Sequence, residues 1–239
     1  MKRIVLAALL VAAAAVAQTP SNGPITKLVT LQNIEPRAIE SMLLMFGVRI
    51  NSNNQMKTMA ITGQAENIAA AEAAIKQLDV APKNIDLTVY FVVGGDTPGA
   101  MSGAGAVPQE LRDVITQLKG AFTFKEYKML DVLTLRTRAG SGAETSGILN
   151  ANVPPRMSQF SIHNATVSQD GTTIRIDRMH AGLRIPVGSV SAQKGTEYVT
   201  SGIDQDVDVK EGQKVVVGRS SLEGPQQALF LILTARVIQ

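Results

Sequence analysis

Four places in the 239-residue chain carry residues whose type and spacing could do chemistry. From Val89 to Ile115 an apolar run, VYFVV, enters a glycine-rich stretch and leaves through Pro108 into a helix-like run, the order in which a phosphate cradle is built. Such a cradle needs Lys followed by Ser or Thr, or a third glycine at fixed spacing. Between Gly94 and Pro108 there is no Lys or Arg, Asp96 would repel phosphate, and Pro108 stands where the third glycine after Gly103 and Gly105 belongs. The stretch 94–107 therefore reads as a connector.

The other three fare similarly. His163 and His180 sit on strand-like runs with no second ligand at metal spacing beside either, so zinc chemistry of the two-histidine helical kind is absent. Only convergence of His163, His180 and Asp177 in space would change that. Ser141 and Ser146 lie in AGSGAETSGI, which lacks the Gly-x-Ser-x-Gly elbow of a hydrolase nucleophile. Asp204, Asp206 and Asp208 have part of the spacing of a calcium loop, but its glycine and bidentate Glu are missing; on a strand, alternation places the three on one solvated edge. No catalytic, cofactor or metal residue is expected.

The elements that would position these residues fall into three parts behind a leader. Residues 1–17, MKRIVLAALLVAAAAVA, have two basic residues, a small apolar run and an A-x-A end, the pattern of a signal peptide cut at about Ala17. The apolar run is shorter than the roughly 20 residues of a spanning helix. Its removal with Lys2 and Arg3 lowers the formal net charge from +3 to +1, and without a clustered basic face no nucleic acid partner is expected. The chain has no cysteine, so neither a disulfide framework nor a thiol nucleophile exists. Residues 18–24, QTPSNGP, read as a flexible leader.

Residues 25–80 form a β-α-β-β-α unit. Pro36 opens a helix whose Ile39, Met42, Leu43 and Phe46 are expected inward, and Gly47 closes it. AENIAAAEAAIKQLD is a second helix, with Ile68, Ala71, Ile75 and Leu78 on one face. Residues 85–140 form a second αβ unit, β-α-β-β-like, with the glycine-rich insert at 94–107 in its first connection. Residues 141–239 show only short strand-like runs and turns, a mostly antiparallel β domain. The fold class is α+β.

The phrases LVTLQNIEPRAIESML and TMAITGQAENIAAAEAAIKQLDV, with the Thr62-Gly63 turn and the closing pair Leu78-Asp79, resemble the small ring-building domain of bacterial secretins and of type II and III secretion system proteins. The tail VDVKEGQKVVVGRSSLEGPQQALFLILTARVI is similar to the end of the secretin core domain. The match covers residues 25–80 and 204–238. It implies a non-enzymatic structural or assembly protein of a secretion or type IV pilus system, periplasmic or associated with the outer membrane. Its partners would be further copies of itself, as a homo-oligomeric ring, or a secretin complex of the envelope. On that reading Arg37 and Lys76 are candidate residues of the assembly surface. The chain's length and 4% aromatic content favour a secretin-like accessory or shortened relative over a membrane pore. The alternative is an exported protein that binds a ligand or partner with its C-terminal β domain.

Overall fold

The computed structural model describes residues 23–96, 104–150, 154–187, 197–222 and 226–238. The expected signal peptide, most of the leader and the middle of the glycine-rich insert lie outside them. The chain divides between Ala81 and Pro82 into two compact units, and the mixed α+β class expected from sequence is what the structure shows.

In the first unit the order is β1 (Ile25–Thr30), α1 (Pro36–Leu44), β2 (Arg49–Asn53), β3 (Thr58–Gly63) and α2 (Ala65–Leu78). β3 is central, with β1 and β2 antiparallel on either side. Alternation along β3 sends Met59 and Ile61 to one face, where Ile39 and Leu43 of α1 and Ile68, Ala71 and Ile75 of α2 bury them. Full burial of each of the larger side chains is worth about 1.5–3 kcal/mol. Pro36 holds the first turn of α1, where its missing N–H costs nothing, and Gly47 stops the chain at φ +71°. Met42 departs from expectation. It is half exposed, because nine residues present only the narrow stripe Ile39/Leu43 to the sheet.

The second unit begins at β4 (Asn84–Gly95), continues through a turn of 3-10 helix at Gln109–Leu111 into α3 (Arg112–Ala121), and then, among the described residues, has strands only. These are β5 (Glu126–Arg138), β6 (Ala143–Ile148), β7 (Met157–Ile162), β8 (Asn164–Val167), β9 (Thr173–Val187), β10 (Glu197–Lys210), β11 (Lys214–Leu222) and β12 (Gln227–Ile238). One sheet has the order β11-β12-β4-β5, the other β10-β9-β7-β6 with β8 also on β9. Strands from 85–140 and from 141–239 thus share a sheet: β12 pairs with β4 from Gln227↔Gly95 to Ile238↔Asn84.

This pairing explains the two most apolar runs of the sequence. Ile85, Leu87, Val89, Phe91 and Val93 of β4, with Leu229, Leu231 and Leu233 of β12, face the second sheet and pack on Phe160, Ile174, Ile176 and Leu183. Their neighbours Tyr90, Val92, Phe230 and Ile232 point the other way and are covered by Leu111, Val114, Ile115 and Leu118 around α3. Central strands buried on both faces lose the polar alternation of half-exposed ones. Tyr90 also donates its hydroxyl to Glu110 at 2.8 Å, anchoring the helix entry; burial first, and then Glu110, push its pKa up to about 12.

Candidate assembly surface

α1 ends in exposed apolar residues. Met42 and Leu44 are half exposed and Met45 is 84% exposed. On the sheet, Thr26, Leu28 and Thr30 of β1 alternate with the residues that face the helices and lie opposite Thr62, Ala60 and Thr58 of β3. Leu28, in the middle of that small-residue face, is 70% exposed. β1 and β2 are the two edges of the sheet. The first unit therefore presents an apolar helix end, a flat threonine and alanine face with one leucine, and two edge strands.

A groove of about 450 Å³ runs between β1 and α2, lined by Lys27, Val29, Gln32, Ile75, Lys76 and Asp79 among others. Lys27 closes part of it with an ion pair to Glu72 at 2.6 Å. Lys76, one of the two sequence-derived candidates, is exposed in the last turn of α2 and lines this groove. Arg37, the other, is exposed in the first turn of α1.

Asp79 carries the geometry at the groove's end. Its carboxylate accepts the backbone N–H groups of Gln32 (2.8 Å), Asn33 (2.6 Å) and Ile34 (3.1 Å), and the Asn33 side chain donates to the Asp79 carbonyl at 3.0 Å. The end of α2 is thereby clasped to the segment that leads into α1. Burial raises the Asp79 pKa, but the three N–H donors and the nearby Lys57 charge outweigh it and hold the carboxyl below its ordinary value. The sequence marks Leu78-Asp79 only as a closing pair; three successive donors with no helix or strand to satisfy them are the physical need it meets.

The residues weighed for chemistry are scattered over the second unit. Gly94 and Gly95 belong to β4 rather than to a loop, so the insert expected from 94 starts later: rings of Phe230, Tyr127 and Phe124 fill the space where a Gly94 side chain would stand. Gly105 forms a bridge with Met129 of β5. His163 breaks one strand into β7 and β8, and its N–H donates to the carbonyl of Asp177. His180 Nδ1 lies 2.7 Å from Asp204 Oδ1 across the β9–β10 pair. Asp206 sits at a bulge and accepts the N–H of Arg178, which has φ +48°. Ser146 and His180 line a shallow groove with Glu144 and Ser161 on the outer face of the second sheet. Among the described residues no group of three His, Cys, Asp or Glu is placed to hold a metal ion. The structure brings His180 and Asp204 together, a pairing that depends on strand register and has no local sequence signal.

No family model and no curated protein matches the sequence. Solved structures do: the chain has the fold of the bacterial secretins. The type II secretion system secretin XcpQ from Pseudomonas aeruginosa aligns over 94% of this chain and 77% of its own, with a TM-score of 0.56 at 14% identity. The type IV competence pilus secretin PilQ of V. cholerae aligns over 90% and 77%, at 0.55 and 12% identity. The Salmonella type III injectisome secretin InvG aligns over 92% and 88%, at 0.52 and 13% identity. Three different systems match about equally, so the likeness is one of fold.

Proposed function

We propose that this chain is a non-enzymatic structural or assembly component of a bacterial secretion or pilus system, periplasmic or associated with the outer membrane once cut at about Ala17. The observation that carries the reading is a secretin fold whose first unit leaves apolar side chains uncovered on two different surfaces. One copy's α1 end, with Met42, Leu44 and Met45, packs on the next copy's sheet face around Leu28. A contact between two different surfaces repeats head to tail and can close into a ring. Arg37, in the first turn of α1, and Lys76, on the groove beside β1, are the exposed charges that steer it, and the partners are further copies or a secretin complex.

The test uses residues 18–239, the expected exported form, sized by light scattering over a wide concentration range and by chemical crosslinking. A ring-sized species or a crosslinked ladder is expected, and the double charge reversal Arg37→Glu/Lys76→Glu is expected to weaken it by up to about fivefold, the scale of two exposed charges. A strictly monomeric chain that also fails to bind a co-expressed secretin contradicts the proposal.

A further inference from the structure

β11 is an edge strand of its sheet, with β12 on one side only. Such an edge invites another strand, and β11 is nine residues long with three consecutive valines at its start. In this chain the free side is occupied by side chains of β10. Gln205 Nε2 donates to the carbonyl of Val217, the residue skipped at the β11 bulge, at 2.6 Å. Ser201 donates to the carbonyl of Ser221 at 3.0 Å, and its hydroxyl lies 2.8 Å from that of Ser220. Between these contacts Ile203 packs against Gly218 so tightly that a Cβ there would overlap it. Three alternate residues of β10, at 201, 203 and 205, thus cover β11 where a neighbouring strand would otherwise lie.

We infer that Ser201 and Gln205 are a removable guard on the β11 edge, holding this sheet closed to strand pairing with a second copy of the chain until they let go. The inference rests on the assembly reading above and adds how a single copy is kept from joining others through its second unit. Side chains suit the role. They satisfy the edge carbonyls while a copy is alone, and they can exchange those bonds for water or for an incoming backbone without undoing either sheet, since β10 keeps its full ladder to β9 and β11 its ladder to β12. The occupant is a second copy because the chain supplies a matching edge: beyond Val132, β5 is the other border of the same sheet, and its Thr134 and Arg136 are exposed.

The experiment compares the full chain with Ser201→Ala/Gln205→Ala and with Thr200→Ala, an exposed position on the same strand that touches no β11 carbonyl, by mass photometry at equal concentration with circular dichroism alongside. Losing the two hydrogen bonds to β11 carbonyls, and with them the Ser201–Ser220 hydroxyl contact, is expected to raise the oligomeric fraction about fivefold or more in the double variant and to leave the control unchanged. Because the chain has no cysteine, added ones report the contact. Ser221→Cys in the unguarded background should form a disulfide with itself, or with a second preparation carrying Thr134→Cys; either link supports the proposal. If the double variant loses its circular dichroism signal, Gln205→Glu takes its place. It keeps the side-chain size but sets a carboxylate against the Val217 carbonyl, and the same rise is expected. An unchanged oligomeric fraction in a folded variant, or a rise without either disulfide, overturns the guard. The assembly reading fails separately, if Arg37→Glu/Lys76→Glu leaves the association of the unaltered chain as it was.

Discussion

The two units treat the borders of their sheets differently. In the first, a three-stranded sheet keeps both borders as edge strands, and Leu28 and Met45 stand in solvent. In the second, the central strands β4 and β12 of the four-stranded sheet are buried on both faces, and parts of the sheet's borders are occupied. Gly105 pairs with Met129 on the outer side of β5, with N–H···O distances of 2.7 and 3.0 Å. Asp131 accepts the N–H of Val132 and the hydroxyl of Ser158, and β10 side chains cover β11. Apolar side chains stand exposed in both units, Ile148 and Val199 in the second among them; what differs is that the second unit occupies part of its sheet borders with its own residues. The difference teaches where a contact between copies is best sought: the first unit leaves both sheet edges and the sheet face around Leu28 open, whereas the second occupies part of its own borders.

Breaking the second unit's self-sufficiency should have the largest effect. Phe230 is fully buried and touches the rings of Phe122, Phe124 and Tyr127, with centroids 5.1 to 6.0 Å away. Phe230→Ala is expected to cost about 3–5 kcal/mol, read as a lower urea midpoint for the second unit. Gly94→Ala acts on the same cluster from the other side, because the added methyl comes within 2.9 Å of ring carbons of Phe230 and Tyr127. It should cost about 1–3 kcal/mol by overpacking, and a stability equal to the parent would mean the rings give way freely.

The first unit is tested at its clasp. Asp79→Ala leaves three backbone N–H groups without their acceptor and should cost about 1–2 kcal/mol. The pH dependence follows from the lowered pKa of Asp79. The folded state binds this proton less readily than the unfolded chain, so the stabilisation is fully present above the ordinary carboxylate pKa and fades as pH falls through the folded value. The gap between parent and Asp79→Ala should therefore be constant near neutrality and close in acid. A gap that widened in acid would mean the clasp works through the protonated carboxyl. Smallest in stability is Met45→Lys. At 84% exposure it should change unfolding by no more than about 0.5 kcal/mol, while weakening association markedly.

How much of this was legible in the sequence follows the same division. The first unit's elements are local: Pro36, Gly47 and the Ile68/Ala71/Ile75 stripe mark α1 and α2 without reference to anything distant. Met42 is expected inward yet stands half exposed, because helical period alone does not say how wide a stripe a short helix can bury. In the second unit the runs VYFVV and ALFLIL announce buried strands, but nothing in either names the other as its partner across more than a hundred residues. Gly94 reads as the start of a connector for the same reason: the rings that need its missing side chain come from residues 124, 127 and 230. The candidate surface was half legible. Charges such as Arg37 and Lys76 can be picked from a helix, whereas the exposure of Leu28 and Met45 emerges only once the sheet's covered face is known.

The central claim is that copies meet through the first unit, one copy's α1 end on the next copy's sheet face. Its most direct measurement mixes two preparations of the otherwise cysteine-free chain, one carrying Leu28→Cys and the other Met45→Cys, under mild oxidation. The account predicts mixed Leu28→Cys/Met45→Cys disulfide dimers that increase with concentration and diminish in the Arg37→Glu/Lys76→Glu background. Two folded, thiol-reactive preparations that yield no mixed dimer at any concentration would contradict it.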